Sequence, residues 1–170
     1  KPALFNFQGE HGAWECPHAH GKVRRTGGIA VGEFEFVRAH TAHTPKITMP
    51  TPSAMLFYRG AEAADRKVYP RIEALYEDLV EVYRAELRDL AAAGCTYVQL
   101  DEVPLAMLCD PAVRAQIAAR GEDPAALTRL YVDLINAVLA NRPKGMTVGL
   151  HLCRGNYKGQ WMAAGGYTPV

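Results

Sequence analysis

His151 and Cys153 stand two residues apart, separated by a single leucine. Side chains alternate across a strand, so residues at this spacing face the same way. An imidazole and a thiol then converge at one point, and nitrogen with sulfur is a donor pair that suits zinc, at about 2.0–2.3 Å. The same two residues also read as a core histidine beside a buried cysteine. Asp101 and Glu102 close the run Tyr97-Val98-Gln99-Leu100. A carboxylate at the mouth of an apolar strand is costly unless it is paired or used. Such an acid can bind a substrate ammonium or act as a base; alternatively the Asp caps the loop that follows. A second cluster competes for metal: Cys16, His18 and His20 alternate over five residues. Pro17 and the glycine-rich surroundings favour a solvated loop there, as they do around His11, His40 and His43. Arg24-Arg25 can hold an anionic substrate group or simply be surface arginines.

The elements that must position these residues are clearest from Pro45 onward. Lys46-Ile47-Thr48-Met49 is a β-branched, apolar run stopped by Pro50 and Pro52, and reads as a strand. Ile72, Leu75, Tyr76, Leu79, Tyr83, Leu87 and Leu90 recur at three and four, predicting a helix over 70–93 with Pro70 in its first turn and Gly94 as its stop. A strand over 95–102 runs into the two acids. Asp110-Pro111 and Asp123-Pro124 each pair an N-cap with proline at the first helical position, opening helices over about 111–120 and 124–141. Met146 to Cys153 is the next strand. Residues 1–44 read as short irregular strands, 4–8 and 21–26, and a helix from about Val31 to His40. Strands joined by helical crossovers must be parallel, so Asp101, Glu102, His151 and Cys153 all fall at C-terminal strand ends. Barrels and open α/β sheets build their sites at that edge.

Composition sets the outer bounds. The chain has 170 residues, of which 49% are apolar and 22% charged, enough for one domain with a sizeable core. Nineteen Lys and Arg against eighteen Asp and Glu leave a net charge of +1, which gives no electrostatic case for nucleic acid or a charged membrane as partner. No apolar run approaches the ~18 residues of a membrane span. Four cysteines without CxxC spacing are no disulfide framework, and a reduced cytoplasm fits them best. The chain opens on Lys1-Pro2 and closes on a loop-like Gly165-Gly166-Tyr167-Thr168-Pro169-Val170, so the expectation is a single-domain fragment of a longer protein.

Several segments together resemble the cobalamin-independent methionine synthase family, and more narrowly its short members similar to the catalytic C-terminal half of the long enzyme. They are Gln99-Leu100-Asp101-Glu102, Leu105-Ala106, Leu108-Cys109-Asp110-Pro111, the run from Gly149 to Asn156, and Gly165-Gly166-Tyr167. Lys46 to Ser53 resembles the preceding strand and loop of that group, and Arg24-Arg25-Thr26 with Ile29 and Phe34 the segment before it. The resemblance implies a (β/α)8 barrel, here in part. It implies zinc held by His151 and Cys153, and a substrate-binding and catalytic Asp101 that takes the amino group of a homocysteine-like thiol, with Glu102 beside it. It implies methyl transfer from a polyglutamylated 5-methyltetrahydrofolate to homocysteine, giving methionine. Val103 intervenes between Glu102 and Pro104, unlike the long enzymes, and the family's remaining zinc ligands, a Glu and a second Cys, have no counterpart in these 170 residues.

A closed barrel needs ~250 residues, so this chain is expected to expose sheet edges, to be inactive alone, and to be unstable or self-associate through those edges. Zinc-dependent alkyl transfer to another thiol on the same scaffold is the nearest alternative. The metal-free uroporphyrinogen decarboxylase-like branch is disfavoured by the His151–Cys153 pair. A non-catalytic barrel fragment is the alternative from another class.

Overall fold

Three strands run parallel in the order β1-β2-β3: β1 Ile47–Pro50, β2 Tyr97–Glu102 and β3 Thr147–Leu152. These come from a computed structural model that describes residues 15–156 and 158–170. Helix α1, Val31–Ala39, precedes the sheet. Helix α2, Glu73–Ala92, links β1 to β2. Helices α3, Val103–Met107, α4, Pro111–Ala119, and α5, Pro124–Leu139, link β2 to β3. The expected parallel α/β architecture is present, and its sheet is open: among the described residues no further strand pairs with β1 or β3. The strand expected over 4–8 lies outside the described residues, as does His11.

The local signals explain most boundaries. α2 buries Leu75, Leu79, Val80, Tyr83, Leu87 and Leu90 along one stripe. Gly94 ends it at φ +91°, and the Cys95 amide reaches back to the Leu90 carbonyl at 2.8 Å, closing the terminal carbonyls in the way a left-handed glycine permits. Asp110 and Asp123 cap α4 and α5, accepting from the amides of Ala112 and Ala125 at 2.8 and 2.9 Å. Pro70 lies ahead of α2 rather than in its first turn, because the helix begins three residues later. Residues 21–26 are not a strand. Their groups turn to helix-side partners instead: the Val23 amide donates to the Tyr69 hydroxyl at 2.7 Å and the Arg25 side chain runs to α2.

The two faces of the sheet differ. Ile47, Met49, Val98 and Leu100 are buried in one apolar core with α2, α4 and α5. On the opposite face Lys46, Thr48, Tyr97 and His151 are exposed, and Gln99, Asp101 and Gly149 are half-buried. Among the described residues the helices lie on one face of the sheet, which leaves the polar set of each strand uncovered. On β3 even the helix-side residues Leu150 and Leu152 remain 48% and 37% exposed.

Candidate active site

Asp101 and His151 are register partners on adjacent parallel strands. Paired residues in a parallel ladder project to the same side, so both stand on the uncovered face at the C-terminal end of the sheet. Cys153 follows β3 by one residue and is half-buried. The acid, the imidazole and the thiol singled out by sequence therefore gather at one edge.

Asp101 is held by its neighbours. The Gln99 amide donates to Oδ1 at 2.7 Å and the Thr48 hydroxyl donates to Oδ2. Gln99 in turn accepts from Lys46 Nζ at 2.7 Å, and that ammonium lies 5.8 Å from the centre of the Tyr97 ring. The Asp101 carbonyl accepts from the Thr51 amide at 3.1 Å, tying the end of β2 to the loop leaving β1. Sequence reading passed over Lys46, Thr48 and Gln99. Their signal was the polar period of two within β1 and β2, which places them all on the face of Asp101.

Glu102, expected beside Asp101 as a second substrate-binding acid, points the other way. Adjacent strand residues face opposite sides, and Glu102 is fully buried on the helix side. It caps α3 by accepting from the Leu105 amide at 2.9 Å, and it accepts from the Ser53 hydroxyl, which itself pairs with Thr51 Oγ1 at 2.7 Å. Burial pushes its carboxyl above the ordinary value of 4.5, against the hydrogen bonds from Ser53, Thr51 and Leu105 that favour the charged form. A carboxyl raised on folding binds more protons folded than unfolded, so its contribution is full below the unfolded pKa and is lost as pH rises through the folded one. Glu102→Gln, which cannot ionise, is therefore expected to gain stability relative to the parent as pH rises from 4.5 toward neutrality. Urea unfolding of both proteins across that range checks this; a difference independent of pH would show that Glu102 does not titrate in this way.

Tyr58 is drawn into the same region. Burial first, then the nearby charges of Cys16, Glu102 and Cys153, push its phenol up to about 12, so the ring offers a neutral hydroxyl at neutral pH. The loop after β3 docks onto the α3–α4 junction: the Ala164 amide donates to the second oxygen of Asp110 at 2.7 Å, and Arg154 donates to the Gly165 carbonyl while stacking 4.8 Å above Tyr167. Gly165 sits at φ +124° against the Cys109 carbonyl, where a Cβ would collide. The Cys109-Asp110 and Gly165-Tyr167 segments, far apart in sequence, thus meet next to the chain that leaves Cys153.

The other candidates are placed elsewhere. The His18 and His20 rings lie 4.4 Å apart beside a cleft of about 370 Å³ that Glu62, Asp65 and Arg66 also line. Ala19 between them bridges Ala64. Arg25 is committed to α2, with Nε 2.8 Å from Glu86 and a terminal nitrogen 2.7 Å from Asp89, so it is not held ready for a substrate anion; Arg24 is exposed. Among the described residues no group of three or more His, Cys, Asp or Glu is arranged to hold a metal ion. By donor chemistry His151 and Cys153 fit zinc; by number they are half of a tetrahedral set.

No protein-family model matches the chain. The Bacillus subtilis protein YxjH, itself uncharacterized, is 34% identical over 151 residues, 88% of this chain and 39% of YxjH. The methionine synthase of Pyrococcus furiosus is 35% identical over 132 residues, 76% of this chain and 32% of that protein. A solved structure from Listeria monocytogenes, assigned as a vitamin-B12 independent methionine synthase, superposes with a TM-score of 0.64 at 26% identity, over 81% of this chain and 41% of its own. The B12-independent methionine synthase of Shewanella sp. W3-18-1, solved with selenomethionine, shares the fold with a TM-score of 0.59 at 18% identity, over 84% of this chain and 36% of its own. The chain thus spans about two fifths or less of the length of the relatives it matches.

Proposed function

Because the chain is a relative of the cobalamin-independent methionine synthases in both sequence and fold, we propose that its sheet edge serves zinc-dependent methyl transfer to the thiol of homocysteine, with a polyglutamylated 5-methyltetrahydrofolate as donor. The three strands are then one arc of a (β/α)8 barrel, with the uncovered polar face turned to its interior. One observation carries the reading: Asp101 and His151 are paired across β2 and β3, with Cys153 two residues on.

His151 and Cys153 would hold the zinc, which when bound lowers the pKa of a coordinated thiol from its ordinary ~8.5 and so supplies thiolate at neutral pH. Asp101 binds the α-ammonium of the amino acid and so fixes where its sulfur lies. Thr48 and Gln99 hold the carboxylate in place from both sides. Glu102, capping α3 beneath the strand, fixes the backbone from which Asp101 projects. In the overall exchange the S–H proton leaves, a C–S bond forms, the donor's C–N bond breaks and the freed nitrogen takes up a proton.

Asp101→Asn tests the reading. It should weaken homocysteine binding by about 2–4 kcal/mol, as for loss of one partner of a desolvated charge pair, while leaving the thiol-activating residues intact. Calorimetric titration with homocysteine checks it, and unchanged affinity removes the role assigned to Asp101. Alkyl transfer to a different thiol is the second reading. It gains ground if thiols lacking an α-amino group bind as well as homocysteine does.

A further inference from the structure

The geometry assigns Gln99 a role in selecting for a cationic group: it is a spacer that keeps Lys46 off Asp101 and leaves the carboxylate charge free for a substrate ammonium. This deepens the reading above and rests on it.

The hydrogen bonding fixes the orientation of the Gln99 amide. An ammonium can only donate, so the Gln99 oxygen must face Lys46 Nζ, 2.7 Å away. Its NH2 then faces Asp101 Oδ1, also at 2.7 Å. The second carboxylate oxygen accepts from Thr48, another neutral donor. Neutral donors orient a carboxylate without cancelling its charge, and an ionised carboxylate has about four lone-pair sites, of which two are used here.

The alternative arrangement is close at hand. Lys46 lies one alternation before Thr48 on the same face of the chain entering β1, and Thr48 already reaches Asp101. A lysine stem is long and flexible. Without the Gln99 side chain, Lys46 can swing onto the carboxylate and form an internal ion pair on this uncovered face. That pair would occupy the position of an incoming ammonium, and the sheet would inhibit itself. As the protein stands, Gln99 Oε1 and the Tyr97 ring hold the lysine head one step back.

Four variants and two ligands test this. Gln99→Ala should weaken homocysteine binding about tenfold, the scale of one charge-assisted contact, and leave binding of 4-mercaptobutanoate, which lacks the amino group, unchanged. Adding Lys46→Met to Gln99→Ala should restore most of the loss, because the competing cation is gone. A merely structural role for Gln99 would weaken both ligands equally and would not be rescued. If Asp101→Asn weakens homocysteine binding but Gln99→Ala does not, the spacer role is overturned and the Asp101 reading stands. If Asp101→Asn has no effect on binding, the Asp101 reading fails; the spacer is then judged by the side-chain amide resonance of Gln99. That resonance should move in both Lys46→Met and Asp101→Asn, and a resonance unmoved in both would overturn the arrangement without reference to any substrate.

Discussion

Replacing Glu86 by alanine is expected to cost about 3–5 kcal/mol of folding stability, the range for stranding one member of a buried ion pair. Glu86 lies in the C-terminal half of α2 with its side chain 1% exposed. One oxygen accepts from Arg25 Nε at 2.8 Å and from the Ile29 amide at 2.9 Å, and the other accepts from the Ala30 amide at 2.7 Å. Three donors from the segment leading into α1 therefore converge on a single carboxylate of α2. Alanine would leave the guanidinium with Asp89 alone, itself 54% exposed, and would leave the buried Ala30 amide without an acceptor, at a further desolvation cost. Set against a typical total of 5–15 kcal/mol, this should lower the thermal midpoint by about 10 °C or more. Glu86→Gln keeps an acceptor for the amides and should cost less. Thermal and urea melts of the two variants side by side check this, and a loss under about 1 kcal/mol for the alanine variant would mean that the segment before α1 is held by its apolar contacts rather than by Glu86.

Nothing in the sequence announced this anchor. Arg24-Arg25 and Glu86 lie some sixty residues apart, and no local period relates them. Local patterns, by contrast, were legible. The stripe on α2, the Asp-Pro caps of α4 and α5 and the three runs from Lys46, Cys95 and Met146 rest on short-range rules, and each stands within a few residues of its expected place. α3 was not foreseen. Five residues are too few to show a helical period, and the cap that starts it is Glu102, which also accepts from Ser53 in the 3-10 turn after β1. The expected strand at 21–26 failed for a different reason. The Val23 amide and the Arg25 side chain found partners at Tyr69 and on α2 rather than on a neighbouring strand.

The placement of the candidate residues was legible only in part. Asp101, His151 and Cys153 could be brought to one edge from alternation and parallel order alone. The separation of Asp101 from Glu102 follows from the same alternation, yet the pairing of acids in sequence concealed it. Direction then decides role: the acid on the uncovered face can meet a ligand, whereas the acid on the helix face supports the backbone. Lys46 and Gln99 matter for the same reason, since what a carboxylate can bind depends on whether a protein cation already neutralises it.

Zinc bound by this chain is expected to vanish when Cys153 becomes serine, because a neutral hydroxyl is a poor ligand for an ion that prefers thiolate and imidazole. The donor pair lies on the exposed edge of β3, with His151 solvent-accessible and Cys153 half-buried, so exchange with added metal should be open. Two protein ligands are half a tetrahedral set, so affinity should be weak. Cobalt in place of zinc supplies a direct readout: a thiolate-to-metal charge-transfer band in the parent that is absent in Cys153→Ser and reduced in His151→Ala. Cys16→Ser is the control. Cys16 is buried next to Tyr58 and Arg59, where burial raises its thiol pKa, and its loss should leave the band in place. A band that survives Cys153→Ser and disappears with Cys16→Ser would move the metal to the Cys16, His18 and His20 segment, and the thiol-activating role proposed for the β3 edge would fall with it.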